Sequence, residues 1–297
     1  MRPESAEALP ALLRRCTFPP SGTAVVAAVS GGADSLALLA LAVGADLEVT
    51  AVHVDHGLRP GSAAEADVVA DAATRFGADF RAESVVVPPG PDLEQRAREA
   101  RRSVLGPDAM TGHTADDQAE TVLINLLRGA GVPGLAAMRP GAAHPLLALR
   151  RSETVALCAS LGLDPVVDPS NRDPRFVRNR IRLEVLPLLA SVADRDPVPL
   201  LARTAARARE LTDDVTALAA AVDPTDTRAA ATHPPSVHRQ ALRQWLVDDL
   251  GHPPSTAELE RVLAVVRHEV VACELSGGRR VARTDGILRL ESPDERV

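Results

Sequence analysis

The stretch Thr23-Ala24-Val25-Val26-Ala27-Ala28-Val29 runs directly into Ser30-Gly31-Gly32-Ala33-Asp34-Ser35, and this junction decides the fold. The first part is a short apolar run of the kind that forms a buried strand, and Ser35 to Val43 continues with helical character. Two glycines let the backbone approach phosphate oxygens closely, and a helix N-terminus offers free N–H groups. We therefore expect a phosphate-binding turn in which Asp34 holds a divalent cation. An ordinary turn with a capping aspartate is the alternative.

The first half of the chain alternates apolar runs with amphipathic stretches. This order predicts an α/β domain, a parallel sheet with helices on both faces. Ligands of such sheets bind beyond the carboxyl ends of the strands. The further expected strands are Leu47 to Val54, Asp79 to Val87 and Ala109 to Gly112, and the further expected helices are Ser62 to Phe76, Asp92 to Leu105 and Thr114 to Leu127.

The second half of the chain has a different pattern. From about Pro140 it breaks into loops rich in Pro, Asp and Arg, and Leu200 to Val222 is a long Ala-rich helix. The Pro- and Thr-rich stretch Asp223 to Pro235 indicates a linker, and two amphipathic helices and a hairpin follow it. The expected domains are a catalytic domain at residues 1–190, a helical linker at 191–235 and a small α+β domain at 236–297.

Composition excludes several classes of site. The 297 residues include no Lys, so all 33 basic residues are Arg. A Walker-type GxxxxGK[ST] loop and a lysine Schiff base with pyridoxal phosphate are therefore impossible. The cysteines form no CxxC pair, which argues against a zinc ribbon or an iron–sulfur loop. The net charge of −7 argues only weakly against nucleic-acid binding. The distribution of charge matters more than its sum, and the arginines are clustered.

The sequence predicts a cytoplasmic protein without membrane contact. No apolar run reaches the roughly 20 residues that span a bilayer. The N-terminus carries Glu4 and Glu7 and lacks the apolar core of a signal peptide. A homodimer is compatible with the sequence, although the chain contains no heptad repeat that would indicate one.

Two charged motifs lie between the turn and the middle of the domain. His53-Val54-Asp55-His56-Gly57-Leu58-Arg59 closes the second expected strand, so His53 is expected to contact a bound nucleotide or to pack beneath it. A metal site is a weaker interpretation, since no further ligand lies nearby in sequence. Asp92 to Arg101 predicts a helix on which Arg96 and Glu99 share a face. This face is expected either to contact phosphate or tRNA through Arg96 or to be a solvated charged surface.

The stretch Gly112-His113-Thr114-Ala115-Asp116-Asp117-Gln118-Ala119-Glu120-Thr121 follows the fourth expected strand. Adjacent carboxylates at a helix start are stabilised by the helix dipole and form a pocket for an ammonium group or Mg²⁺. His113 is able to donate to a phosphate or to carry a proton. A capping cluster led by Thr114 is the alternative. The glycine-rich residues after Arg128 suit a loop that closes over a substrate, with Arg128 aimed at phosphates.

A cluster of arginines follows Asp168-Pro169-Ser170-Asn171. A charge run is usually a solvated surface, but beside a nucleotide site a set of contacts to a nucleic-acid backbone is the better explanation. Arg203 and Arg207 share a face of the next helix and extend the set. The members of the cluster are Arg172, Arg175, Arg178, Arg180 and Arg182.

These motifs resemble those of a known family. SGGxDS after the first strand resembles the signature of the PP-loop superfamily, whose members cleave ATP between the α and β phosphates. Gly112 to Thr121 is similar to GHxxDDQAET, and His53 to Arg59 to HxxHGLR, of the tRNA(Ile)-lysidine synthase family. The arginine cluster resembles that family's DPSNxDxxxxRNRxRxxvLP. Asp92 to Arg101 resembles its NLExxAREARY element but departs from it at Asp92 and around Ser103.

The resemblance covers about residues 22–190, and the tail is similar to the small C-terminal domain of the shorter members. It implies a ligase that adenylylates the oxygen on carbon 2 of the wobble cytidine in tRNA(Ile) with a CAU anticodon, using ATP and Mg²⁺. The ε-amino group of free L-lysine then displaces AMP to give lysidine.

The resemblance also implies roles for individual residues. Ser30, Gly31, Gly32, Ala33, Asp34, Ser35, His53 and His113 would bind ATP; Asp34 and Asp117 would bind the metal; Asp116, Asp117 and Glu120 would bind lysine. Asp34, His113, Asp116, Asp117 and Arg128 would be catalytic. Arg96, Arg172, Arg175, Arg178, Arg180 and Arg182 would contact tRNA, and Arg203 and Arg207 are expected from their shared helix face to extend these contacts.

Three alternatives use the same turn differently. A PP-loop enzyme that thiolates tRNA needs a sulfur-carrying Cys or an iron–sulfur cluster, and the isolated cysteines argue against it. A small-molecule amidotransferase would leave the arginine cluster without a purpose. A nucleotide-binding regulator without catalysis would not explain the set of acidic residues.

Overall fold

The computed structural model describes residues 9–55, 63–85, 100 and 103–292. The chain divides into two compact units, residues 1–208 and 209–297. The predicted helix at Asp92 to Leu105, including Arg96, lies almost entirely outside the described residues, as do residues 56–59 of the second motif.

The first unit is built on a parallel sheet in the order β1-β2-β3. Its strands are β1 (Ala24–Ala28), β2 (Glu48–Asp55) and β3 (Asp79–Ser84). The expected fourth strand was wrong in extent. Met110 alone forms a parallel bridge to Ala27 on the free side of β1, because the chain turns away at Thr111, whose N–H donates to the carbonyl of Ala143.

Helices flank this sheet, as the α/β prediction required. The first, α1 (Ala33–Gly44), buries every residue from Ser35 to Ala42. A helix that is apolar on all sides must be covered on all sides, and α1 packs against the sheet and against a later helix. Further helices of the unit are α2 (Ala63–Phe76), α3 (Ala115–Leu127), α4 (Val132–Leu135), α5 (Arg151–Leu161), α6 (Val177–Arg180), α7 (Leu186–Ala193) and the start of α8 (Val198–Ala219).

Helix α5 corrects the prediction that the chain forms loops from Pro140 onward. Its N-terminus is capped by the carboxylate of Glu153, which accepts the Arg150 N–H over 2.8 Å. It ends at Gly162 in the left-handed conformation, with φ 65°, a position that glycine occupies without strain. Leu157 and Cys158 are buried against the main core.

A continuous helical run carries Arg178, Arg180 and Arg182 of the arginine cluster. It comprises α6, one wider π-helical turn at Ile181–Val185, and α7. Ile181 and Leu186 are buried against Ala119 and Leu123 of α3. Arg178 and Arg182 are thereby brought alongside the acidic end of α3.

The second unit confirms the expected helices and hairpin. It contains the end of α8, then α9 (Ala229–Thr232), α10 (Pro235–Leu250) and α11 (Thr256–Val266), followed by an antiparallel sheet in the order β4-β5-β6. The strands are β4 (Ala272–Glu274), β5 (Arg280–Thr284) and β6 (Ile287–Glu291). Within the described parts of the chain, no helix has both the length and the apolar character to cross a membrane.

Candidate active site

The turn at Ser30–Ser35 connects β1 to α1 at the carboxyl edge of the sheet. Gly31 has φ +85°, a conformation that side chains other than glycine rarely adopt, and an added Cβ would lie 3.0 Å from Val166. The Ser35 hydroxyl accepts the Ser30 N–H over 3.1 Å and donates to the Gly32 carbonyl over 2.8 Å. The turn is therefore closed on itself at the N-terminus of α1, where free N–H groups and the helix dipole favour an anion.

Asp34 lies in the first turn of α1 and makes two contacts with α5. The Thr154 hydroxyl donates to its Oδ1, and Arg151 Nε donates to its Oδ2 over 3.2 Å. Burial, with a smaller contribution from the charge of Asp117, raises the pKa of Asp34. Gly112 passes so close to this turn that an added Cβ would lie 2.5 Å from the Asp34 carbonyl oxygen, so this position requires glycine.

Asp117 lies at the start of α3, and its carboxylate caps that helix. Its Oδ2 accepts both the N–H and the hydroxyl of Thr114, each over 2.9 Å, while Arg151 Nη2 donates to its Oδ1 over 2.8 Å. Burial acts to raise the pKa of Asp117, but Arg151, His113 and Thr114 together lower it. Asp117 is therefore held as a carboxylate.

Glu120 is fully buried one turn further along α3. Three arginines surround it: Arg182 Nε lies 2.7 Å from Oε1, Arg151 Nη1 lies 3.2 Å from Oε1, and Arg178 Nε lies 3.5 Å from Oε2. A buried carboxylate needs such partners, because removing a charge from water is costly. Arg178 and Arg182 were predicted to contact tRNA, and the structure turns both toward this acid.

Asp116 has a different environment from its neighbour. Arg150 donates to both of its oxygens, over 3.0 and 3.1 Å, and the Arg151 N–H donates to Oδ2 over 2.8 Å. Burial acts to raise the pKa of Asp116, but the hydrogen bonds and charges of Arg150 and Arg151 outweigh it, and the pKa is lowered. Its carboxylate joins the start of α3 to the start of α5.

A cavity of about 420 Å³ opens between these elements, within the range of roughly 300–1,000 Å³ usual for small-ligand pockets. Asp34 and Asp117 line it, whereas Asp116 and Glu120 are not among the lining residues. Apolar side chains of Val52, Val54 and Val155 form part of the wall. The other polar lining side chains include Ser30, Ser35, His113, Arg151, Asn171 and Arg182.

The two predicted histidines have different surroundings. His53 is buried, and its Nδ1 lies 3.1 Å from the Val29 carbonyl oxygen, so the ring packs beneath the turn. His113 lines the cavity, and its ring centroid lies 5.3 Å from that of His144. Thr111 Oγ1 in turn lies 2.7 Å from His144 Nδ1.

Other predicted residues lie away from the cavity. Arg128 follows the last residue of α3, about 18 Å from the acidic end at the helical rise of 1.5 Å per residue. Arg175 and Arg180 are exposed and pair with Asp173 and Glu184. Arg172, Arg203 and Arg207 are exposed.

Sequence reasoning missed Arg150, Arg151 and Thr154. All three lie in the first turn of α5 or just before it. A signal was present: Glu153 follows Arg150 by three residues, a spacing typical of a capping box, and Gly162 follows the last apolar position. A helix recognised on that basis would have placed a pair of arginines at its start.

Asp34 and Asp117 have the chemistry of a magnesium site. Both offer carboxylate oxygens to the same cavity and already share one cation, Arg151. Mg²⁺ in nucleotide-binding sites is usually held by one or two carboxylates together with substrate phosphates and water. The residues present fit that description.

Comparisons with known proteins agree with the fold and motifs. Residues 4–189 match the family model of the PP-loop domain. The chain is 44% identical over 265 residues to the tRNA(Ile)-lysidine synthase of Nocardia farcinica, covering 84% of this chain and 83% of that protein. It is 41% identical over 290 residues to that of Mycobacterium leprae, covering 89% of each.

Among solved structures, the fold is similar to that of the U34-tRNA thiolase NcsA from Methanococcus maripaludis, which was solved with its 4Fe–4S cluster. The TM-score is 0.52 at 18% identity, over 69% of this chain and 77% of that one. At this identity the likeness concerns the fold alone. The relatives and the PP-loop match together show that this chain belongs to the tRNA(Ile)-lysidine synthase family of PP-loop enzymes.

Proposed function

We propose that this chain uses ATP to join free L-lysine to carbon 2 of the wobble cytidine in tRNA(Ile) with a CAU anticodon, releasing AMP and pyrophosphate. One observation carries the proposal: a single cavity combines the SGGADS turn with Asp117 of the GHTADDQAET motif. Family membership supports it, since the similar proteins are named for this activity.

The turn at Ser30–Ser35 would bind the ATP phosphates. The N-terminus of α1 favours negative charge there, and Val52 and Val54 offer an apolar wall to the adenine ring. Asp34 and Asp117 would hold Mg²⁺, which when bound neutralises phosphate charge during adenylylation. Arg151 and Arg182, also on the cavity wall, add fixed positive charge near the pyrophosphate leaving group.

Asp117 is also the best supported of the three acids expected to bind lysine. It lines the cavity, and its pKa is held low, so it offers a carboxylate to an ammonium group. Asp116 and Glu120 are not among the residues that line this cavity, although all three acids are paired with arginine. In the second step the neutral ε-amino nitrogen attacks carbon 2, the bond from that carbon to the adenylylated oxygen breaks, AMP leaves with that oxygen, and the nitrogen releases one proton to water.

Exposed arginines on α8 are the best candidates for tRNA contacts. Arg203 and Arg207 are both exposed, lie four residues apart, and so project from one face of the helix. Their charges are available to a phosphate backbone, whereas those of Arg178 and Arg182 are shared with Glu120.

Thiolation of tRNA is the second candidate, because it would use the same SGGADS turn. Sulfur transfer requires a thiolate or a cluster. Burial raises the pKa of all three cysteines, to about 11 for Cys158 and about 12 for Cys16, and the chain has no CxxC pair that would bind a cluster. The ligase is therefore favoured.

Radiolabelled lysine provides the test. Purified protein, ATP and Mg²⁺ are mixed with unmodified tRNA(Ile), and a transcript in which uridine replaces the wobble cytidine is the control. Label on the cytidine transcript alone, with equal AMP release, is the expected result. AMP release that depends on tRNA but not on lysine would keep the adenylylating enzyme and overturn lysine as its substrate.

A further inference from the structure

Each nitrogen of the Arg151 guanidinium contacts the carboxylate of a different acid. Nε lies 3.2 Å from Asp34 Oδ2, Nη2 lies 2.8 Å from Asp117 Oδ1, and Nη1 lies 3.2 Å from Glu120 Oε1. One planar cation therefore lies among three carboxylates that come from two helices. Like charges this close repel strongly unless a cation lies among them.

The position of Arg151 is fixed from outside the cavity. Its backbone N–H donates to Asp116, and its side chain is 25% exposed on the cavity wall. The two carboxylates that it joins on that wall, Asp34 and Asp117, are those assigned to Mg²⁺. The guanidinium thus supplies positive charge where a divalent cation would supply it.

We propose that Arg151 is an internal counter-ion that holds Asp34 and Asp117 in place and competes with a divalent cation for them. Binding of the cation requires the guanidinium to release at least one of these two acids. The released group would remain available to nucleotide phosphates, because Arg151 lines the same cavity as Ser30 and Gly32. Arg151 is thus a positioning residue, and this inference rests on the proposed function for the assignment of the metal ligands.

The test measures metal binding without ATP, lysine or tRNA. Binding of Mn²⁺ to the full chain is followed by the loss of the electron paramagnetic resonance signal of the free ion. Arg151→Gln should bind Mn²⁺ about tenfold more tightly than wild type, because a competing charge has been removed. Arg151→Lys keeps the charge but lacks the planar fork that contacts three carboxylates at once, so its affinity should lie between those of wild type and Arg151→Gln. Arg81→Gln, at an exposed arginine paired with Glu83, is the matched control and should equal wild type.

A second substitution shows which site the metal occupies. Asp34→Asn in the Arg151→Gln background should return the affinity to the wild-type value or below. Arg151→Gln should also melt at a lower temperature than wild type without metal and gain more from added Mn²⁺, since a ligand stabilises the state it binds.

The proposal is overturned if Arg151→Gln binds Mn²⁺ no more tightly than wild type. Should that variant fail to fold, Arg151→Lys decides, and an unchanged affinity would overturn the proposal in the same way. Failure of the wild-type protein to incorporate lysine would overturn the proposed function while leaving these metal affinities as they are. The two ideas therefore fail separately.

Discussion

Oδ2 of Asp116 accepts the backbone N–H of Arg151 over 2.8 Å. The same carboxylate is held by both Nε and Nη2 of Arg150. One acid of the pair in the GHTADDQAET motif thus fixes the start of α5, while its neighbour, Asp117, lines the cavity. The two adjacent aspartates have separate tasks, and this separation can be measured.

Asp116→Asn should act mainly on stability. Its side chain is 17% exposed and that of Arg150 is 29% exposed, so a double-mutant cycle of Asp116→Asn with Arg150→Gln should give a coupling of about 1–3 kcal/mol in urea unfolding. Asp117→Asn should instead remove AMP formation, because this carboxylate lines the cavity, and should also cost stability, because it caps α3 and pairs with Arg151. A coupling near zero would show that the Asp116–Arg150 contact does not hold the helices together.

Gly112→Ala should damage the turn through its backbone. The added Cβ would meet the Asp34 carbonyl oxygen at 2.5 Å, which forces either chain to move, and such overpacking costs about 1–3 kcal/mol. The rate of AMP formation should fall at least about tenfold, since small misplacements of reacting groups are expensive. Denaturant unfolding and single-turnover kinetics measure the two effects.

Gly44→Ala is the matched control for that substitution. Its added Cβ would lie 3.1 Å from the end of the Leu9 side chain, which is able to rotate away. This variant should keep the wild-type stability to within about 1 kcal/mol, because alanine also favours the helix. Equal losses in the two variants would contradict the close approach at Gly112.

The sequence predicted those parts of the fold that local patterns determine. The run ending at Val29 and the turn after it were located by apolar character and glycines, and α3 by its Thr114 cap. The expected fourth strand was wrong because Met110 makes a single bridge. The loops expected from Pro140 were wrong for residues 151–161, where α5 is short and two arginines precede its apolar positions.

The electrostatic partners in the site could not be predicted in the same way. Glu120 pairs with Arg151 and Arg182, which lie 31 and 62 residues further along the chain. Periodicity and capping act within a few residues, whereas these contacts depend on how whole helices pack. The acids were predicted to share a site from one local motif, whereas their pairing with Arg178 and Arg182, which were predicted to contact tRNA, and with Arg151, which was not predicted, became visible only in the structure.

Replacing both Arg203 and Arg207 with Gln should weaken tRNA binding and its salt dependence. Each phosphate contact that is lost should reduce the slope of log K against log salt by about 1, so the slope of the double variant should be smaller by about 2. Binding should weaken alike for wobble-cytidine and wobble-uridine transcripts, because phosphates carry no base identity. Fluorescence anisotropy over a salt series, with Arg81→Gln as control, measures this. An unchanged slope would place the tRNA elsewhere.

Glu258 gives the second unit a defined dependence on pH. Its carboxylate accepts the N–H and hydroxyl of Ser255 over 2.8 and 2.7 Å and the Ser276 N–H over 2.8 Å. These bonds lower the pKa of Glu258 from 4.5 to about 2. A depressed pKa means that the stabilisation is complete above about pH 4.5 and is lost as the pH falls toward 2.

Glu258→Gln should therefore lower the free energy of unfolding by about 1 kcal/mol at pH 7, because the Gln side-chain oxygen still accepts hydrogen bonds but lacks the charge that strengthens them. The gap to wild type should close as the pH falls from 4.5 toward 2, because the wild-type carboxyl is then protonated as well. Glu260→Gln, on the exposed face of the same helix with 44% of its side chain accessible, should change stability by less than about 0.5 kcal/mol. Unfolding of the full chain followed by urea titration at each pH makes the comparison, and a gap that persists unchanged at pH 2 would show that the charge of Glu258 contributes nothing.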